Sequence, residues 1–266
     1  DWADMDKDGP LCAEQMLYAA CFRAMEEISE QIGKDGSVYR AEYEKLTAVI
    51  EKFFWDEEKG AYIDSFTSGR RNVTRHANIF AILFSVADEK KQEKILKNVL
   101  ENDEIPAITT PYFNFFELDV LCRMGKLTEV LDKIRSYWGG MLDFGAVTFW
   151  EEYDPSVPKE EQYDMYGDHF GKSLCHAWAA SPIYFLAKYF VGLDLVNKDG
   201  VTYILKPQMQ YFTELDCTLP VGSNGVVRLV WDGEILEITP NADGGILELG
   251  EQKLSLVRGE TRRVKI

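Results

Sequence analysis

Apolar residues recur at helical spacing over residues 11–33, where Ala13, Met16, Leu17, Ala20, Cys21, Ala24, Met25, Ile28 and Ile32 align before Gly33 stops the run. Residues 40–55 repeat the pattern with Tyr43, Leu46, Val49, Ile50, Phe53 and Phe54. DEEKG then reads as a turn and AYIDSF as a short extended piece. Further helical stretches are expected at 74–87, 89–101, 112–124 (closed by Gly125) and 127–138. Ser181-Pro182 reads as an N-cap and first-turn pair for a last helix running to Gly192. About seven helices joined by loops predict stacked αα-hairpins.

The period changes from about residue 195. VTYILKP, VVRLVWDG, EILEITP, GILELG, KLSLV and RRVKI are short alternating runs separated by Gly, Asn, Asp and Pro turns, the pattern of a small antiparallel β-sandwich. The expected organisation is a helical domain over 1–192 followed by a β-domain over 193–266. The boundary is a shift in composition, with no flexible linker or low-complexity segment between the parts.

Bulk properties narrow the function classes. At 266 residues, 46% apolar and 28% charged, the chain is long enough to bury a sizeable core. No apolar run approaches the length of a membrane span. A net charge of −16 repels phosphate backbones and anionic bilayers, which disfavours nucleic acid and membrane partners. Five cysteines at 12, 21, 122, 175 and 217 are odd in number and lack metal or CxxC spacing, so they read as small buried side chains. Three histidines without HxxxH or HExxH spacing argue against a catalytic zinc, and neither metal nor cofactor is expected. The opening loop DWADMDKDG approaches a calcium loop: Asp4, Asp6, Asp8 and Gly9 fall at positions 1, 3, 5 and 6. Gln15 stands where the bidentate Glu belongs, however, and Glu14 comes one residue early. Acids preceding a helix N-terminus explain that loop better. The start of the chain carries no signal-peptide pattern, which leaves the compartment open between cytoplasm and periplasm.

The chemistry concentrates in residues 146–178, AVTFWEEYDPSVPKEEQYDMYGDHFGKSLCHAW, with Trp150, Trp178, His169, His176 and many carboxylates. Phe149-Trp150-Glu151-Glu152 sets acids beside an aromatic face. Sugar-processing sites need that pairing: an apolar platform for the C–H face of a pyranose and a carboxylate for proton transfer. Glu151 and Glu152 compete for the role, since adjacent side chains point differently. His76 and His169 have no such context and read as structural or exposed. The residues alone are equally compatible with an ordinary aromatic core.

TFWEEYD followed by SLCHAWAASPIYFL resembles the C-terminal half of the catalytic domain of an α-L-rhamnosidase of glycoside hydrolase family 78. Thr110-Pro-Tyr-Phe-Asn-Phe-Phe-Glu117 and the opening Asp1-Trp2-Ala-Asp4 resemble that family's motifs as well. Together these cover most of residues 1–192 in the family's order and spacing. The resemblance implies a partial (α/α)6 barrel, a ring of helical hairpins, followed by a small β-sandwich. It implies inverting hydrolysis of terminal α-L-rhamnosides, with a carbohydrate as the partner. Glu151 then matches the general base, His176 the histidine that hydrogen-bonds the rhamnose ring, and Trp2 and Trp150 the sugar platform. The family's general-acid motif lies upstream of the DW and is not in this sequence, so this span by itself is expected to be inactive. Two other readings remain: another (α/α)6 glycosidase or lyase, and a non-catalytic glycan-binding or interaction protein. Because seven helices make little more than half a ring, an apolar flank is expected, covered by self-association or by an N-terminal part. Trp2, Trp150, Glu151 and His176 should converge at one end of the helices.

Overall fold

The computed structural model describes residues 3–198, 200–222 and 225–266, and the chain forms two compact units, Asp1–Ala179 and Ala180–Ile266. The first is built from helices. α1 (Cys12–Gln31) and α2 (Ser37–Phe54) form the first hairpin, and a two-stranded turn pairs β1 (Trp55–Asp56) with β2 (Ala61–Tyr62). α3 (Arg75–Leu83) is followed by α4 (Glu89–Ile95), which continues as a π-helical turn over Leu96–Leu100. α5 (Pro111–Arg123) is followed by α6 (Leu127–Lys133). A second π-turn, Ile134–Trp138, carries α6 without a break into α7 (Gly139–Asp143).

Local chemistry sets the ends. The Asp88 side chain accepts from the Lys91 N–H at 2.9 Å to cap α4, and Thr110 accepts from the Phe113 N–H with Pro111 in the first turn of α5. The third helix stops at Leu83 rather than at 87 because Ser85 adopts φ 56°, which no α-helix continues through.

α1 packs on α3 and α3 on α5, while α2 and α6 pair with α1 and α5. α1, α3 and α5 therefore form an inner row, with α2, α4 and α6 outside it, and burial follows. α3 is buried at Arg75 to Ile82 without interruption, whereas α2 buries only Ile50 and Phe54, and α6 only Val130. A helix with neighbours on both flanks buries most of its circumference, and an outer helix only a stripe. α1 belongs to the inner row yet buries just Cys12, Met16, Ala19 and Ser29, because among the described residues no further helix packs closely on its other flank. Leu17, Tyr18, Met25, Ile28 and Ile32 are left exposed there. Cys12 and Cys122 are buried as expected, but Cys21 and Cys175 are exposed: Cys21 lies on that open flank and Cys175 in the loop before Ala177.

The second unit opens with α8 (Ser181–Phe185), extended by a π-turn to Phe190. Ala180, not Ser181, takes the cap position, and Ser181 is already buried as the first helical residue. Two four-stranded sheets follow. One orders β10 (Arg262–Lys265), β7 (Ile235–Pro240), β6 (Gly225–Trp231) and β5 (Leu215–Val221). The other orders β3 (Leu193–Lys198), β4 (Val201–Leu205), β8 (Gly245–Leu249) and β9 (Gln252–Leu256). Tyr203, Leu205 and Leu247 of one sheet share a core with Val227, Leu229, Trp231, Leu236 and Ile238 of the other, which makes the pair a sandwich. It is not wholly antiparallel: β4 and β8 run parallel, because the chain leaves β4 to build the second sheet before returning as β8. The short alternating runs did not reveal β3 or β5. β5 contains Pro220 within the strand, where proline is tolerated best at a sheet edge, and β5 is an edge.

Candidate active site

Two loop segments hydrogen-bond side by side to build the site. The Glu151 N–H donates to the Ser173 carbonyl at 2.9 Å, and the His176 N–H donates to the Phe149 carbonyl at 2.8 Å. The Thr148 hydroxyl bonds the Leu174 carbonyl in the same ladder. This short pairing brings Glu151 and His176 together although 24 residues separate them in the chain.

Residues 152–172 leave and re-enter the ladder as a compact loop. Buried Gln162 ties it internally, donating to the Asp154 and Val157 carbonyls at 2.6 and 2.8 Å. The Lys172 N–H closes it on the Tyr163 carbonyl at 3.1 Å. Gly171 is required, since a Cβ there would sit 2.1 Å from the Met165 carbonyl oxygen.

The Glu151 side chain is 6% exposed. Its Oε1 accepts from the Tyr166 hydroxyl at 2.7 Å and its Oε2 from the Ser173 N–H at 3.0 Å. Burial by itself pushes this carboxyl up. The Tyr166 and Ser173 hydrogen bonds, with His176 and Lys172 close by, outweigh it and hold the group below the ordinary glutamate range. Glu151 is therefore a carboxylate at neutral pH, a proton acceptor. Its neighbour Glu152 turns the other way, toward the buried Lys172 ammonium at 3.8 Å.

Aromatic side chains lie around the carboxylate. Trp150 is 3% exposed and meets Tyr163 edge-on at 5.7 Å, so its ring anchors the base of the loop and presents no open face. Half-buried Trp178 and exposed Tyr112 supply the aromatic surface there; Trp178 is a candidate in the sequence but not the one expected as the platform. Trp178 stacks on Tyr112 of α5 at 5.5 Å, meets the His176 ring at 4.6 Å, and donates its indole N–H to the Glu151 carbonyl at 2.9 Å. Tyr166, 72% exposed, borders the carboxylate. Tyr166 carries no sequence motif, only the Tyr166-Gly167 turn pair hinting at the local geometry, and Ser173 opens the SLCHAW run, where nothing singles it out. Trp2 lies outside the described residues.

His169 is exposed and bonds the Asp164 carboxylate. His76 is buried against Phe113 at 4.2 Å, and burial lowers its pKa to about 4, so its ring is neutral. With Met5, Leu11, Leu17, Phe80 and Phe113 it lines a mostly apolar pocket of about 360 Å³. Phe113 of α5 thus faces that pocket while its neighbour Tyr112 stacks on Trp178. In the opening loop Asp6 turns inward and bonds the Ser68 hydroxyl, whereas Asp4 and Asp8 stay exposed, so the three do not converge as a calcium loop requires. Among the described residues no group of three or more His, Cys, Asp or Glu is placed to hold a metal ion.

The model of the bacterial α-L-rhamnosidase six-hairpin glycosidase domain matches residues 1–190. Several solved structures share the fold. A GH78 family rhamnosidase of Bacillus sp. GL1 superposes with a TM-score of 0.76 at 24% identity, over 94% of this chain and 27% of its own. A rhamnosidase from Klebsiella oxytoca with rhamnose bound gives 0.58 at 28% identity, over 67% of this chain and 34% of its own. Streptomyces avermitilis α-L-rhamnosidase complexed with L-rhamnose gives 0.63 at 14% identity, over 88% and 22%. The 266 residues thus span about a quarter to a third of the length of these structures. No curated protein matches the chain.

Proposed function

Because the chain belongs to the bacterial α-L-rhamnosidase six-hairpin glycosidase family, we propose that it forms the C-terminal half of the catalytic domain (1–192) and the trailing β-domain (193–266) of an inverting α-L-rhamnosidase. The observation that carries this reading is the buried Glu151 carboxylate, kept ionised by Tyr166 and Ser173 beside His176 and the Trp178–Tyr112 stack. Glu151 takes a proton from a water held on the sugar face opposite the leaving group. That water attacks the anomeric carbon as the glycosidic bond breaks, which inverts the centre. His176 hydrogen-bonds the rhamnose ring, and Trp178 and Tyr112 offer the apolar C–H face its platform. The Klebsiella and Streptomyces structures, both solved with rhamnose, support the choice of sugar.

An inverting site needs a second carboxyl group about 6.5–9.5 Å from the first to protonate the departing oxygen. The family's motif for that acid lies upstream of the DW, so it is supplied from outside these 266 residues. We assign the open flank of α1 to the same source. The exposed stripe Leu17, Met25, Ile28 and Ile32 lies along an inner-row helix that has an inner neighbour, α3, on one flank alone among the described residues, and upstream helical hairpins cover the other.

The deciding assay is hydrolysis of p-nitrophenyl α-L-rhamnoside by the 266-residue chain, by a version extended upstream to complete the ring, and by the extended Glu151→Gln variant. The short chain shows no turnover. The extended enzyme is active, and the Gln variant loses about 10²-fold or more while still binding rhamnose. Full activity in the short chain or in the Gln variant refutes the assignment.

A further inference from the structure

We propose that Tyr166 is a positioning residue for Glu151, fixing the rotation of its carboxylate so that a set lone pair faces the attacking water; this rests on the reading of Glu151 as the base. Met165 and Asp168 exchange both backbone hydrogen bonds at 3.0 Å across a two-residue turn. The turn residues, Tyr166 at φ 54° and Gly167 at φ 80°, both lie in the left-handed region, as a type I′ turn requires. Asn, Asp and Gly favour the first of those positions, and a bulky aromatic side chain there is costly. Packing does not account for the choice, since Tyr166 is 72% exposed. What the turn achieves is to aim the phenol hydroxyl at Glu151 Oε1, 2.7 Å away. Strained backbone of this kind, held where its side chain meets a reacting group, is how sites pre-organise.

The geometry leaves the base usable. Each carboxylate oxygen has two lone-pair sites. Tyr166 takes one on Oε1 and the Ser173 N–H one on Oε2, which leaves a free site on each. Held at two points, the carboxylate cannot rotate about its last bond, and a fixed acceptor serves a water better than a freely turning one. The same hydroxyl bond, with Ser173, His176 and Lys172, favours the ionised form of Glu151, while Glu152, 3.8 Å from the Lys172 ammonium, adds a negative charge that acts on the Tyr166 hydroxyl.

Tyr166→Phe tests this, because Phe makes the same backbone demand at φ 54° and removes only the hydroxyl. The first readout is independent of activity: carboxyl ¹³C titration of Glu151 in the 266-residue chain, assigned through Glu151→Gln. In the Phe variant the Glu151 midpoint rises by roughly half a pH unit or more, while the far-UV spectrum of the folded chain stays unchanged. The second readout is the pH profile of kcat/KM in the ring-complete enzyme, whose acidic limb moves up by the same amount and whose kcat falls more than its affinity for rhamnose. An unmoved Glu151 midpoint overturns the proposal, and so does a moved midpoint without a matching shift of the acidic limb. Retained activity in Glu151→Gln instead overturns the assignment of the base, a failure separable from the other two.

Discussion

The indole N–H of Trp178 donates to the backbone carbonyl of Glu151 at 2.9 Å, so one side chain both holds the segment that carries the carboxylate and forms part of the aromatic surface beside it. Through its stack on Tyr112, the same ring fastens that segment to the N-terminal turn of α5, a buried inner-row helix. The candidate site is thereby referenced to the rigid part of the helical unit.

Trp178→Phe should keep the ring and lose the donor, costing about 0.5–1.5 kcal/mol. Trp178→Ala should add the loss of the Tyr112 stack, a further ~0.5–1.5 kcal/mol, and displace the His176 ring. Far-UV melts of the two variants rank them. Equal melting temperatures for Ala and wild type would show that the indole anchors nothing.

Arg75 and Glu117 make a buried ion pair at 2.7 Å between α3 and α5, and Arg75 also donates to the Leu100 and Ile105 carbonyls. Removing one partner strands a charge, so Glu117→Leu should destabilise by about 3–5 kcal/mol. The double change Arg75→Met with Glu117→Leu should recover much of that, short of about 1–3 kcal/mol for the two carbonyls left without their donor. A denaturant-based double-mutant cycle reads the coupling, and simple additivity would count against it.

The lowered pKa of Glu151 makes a signed prediction for stability. A carboxyl whose folded value lies below its unfolded value binds fewer protons when folded, so its contribution is complete above the ordinary glutamate value of 4.5 and is lost as pH falls through the depressed folded value. Glu151→Gln should therefore flatten the stability profile below about pH 4.5 and leave its slope near neutrality unchanged. Denaturant midpoints measured at several pH values test this; a steeper acid loss in the Gln variant would mean that the carboxyl is raised instead.

The open flank of α1 should make the isolated chain sticky. Leu17, Met25, Ile28 and Ile32 are 48, 41, 50 and 61% exposed on one helix, and a contiguous apolar surface of this kind on a monomer marks an interface. Light scattering should find the 266-residue chain associated with itself, and Leu17→Lys with Ile28→Lys should return it to a monomer. In the ring-complete enzyme the same pair should impair folding, because the charges would be buried between helices. A wild-type chain that stays monomeric at high concentration would remove the case for a missing neighbour.

Much of this fold was legible one residue at a time. Helical spacing located the helices to within a few residues, because amphipathic periodicity is imposed locally by burial of one face, and the switch to alternation marked the β-unit. Thr110-Pro111 announced the start of α5 through its own capping chemistry. The order of DW, FWEE and SLCHAW carried the family, and the adjacency of Trp150 and Glu151 drew attention to the carboxylate that the fold buries against Tyr166 and Ser173. Tertiary structure alone decided which aromatic ring is core and which lies half-buried beside the site. Trp150 and Trp178 look alike in sequence, but the pairing of Glu151 with Ser173 buries the first and leaves the second beside His176. It also decided that Tyr166, fifteen residues from Glu151, reaches its carboxylate, since a turn at φ 54° aims a side chain in a way that no periodicity encodes. Propensity and pattern act between near neighbours. Pairing across a loop depends on where the chain returns, and only the folded molecule fixes that.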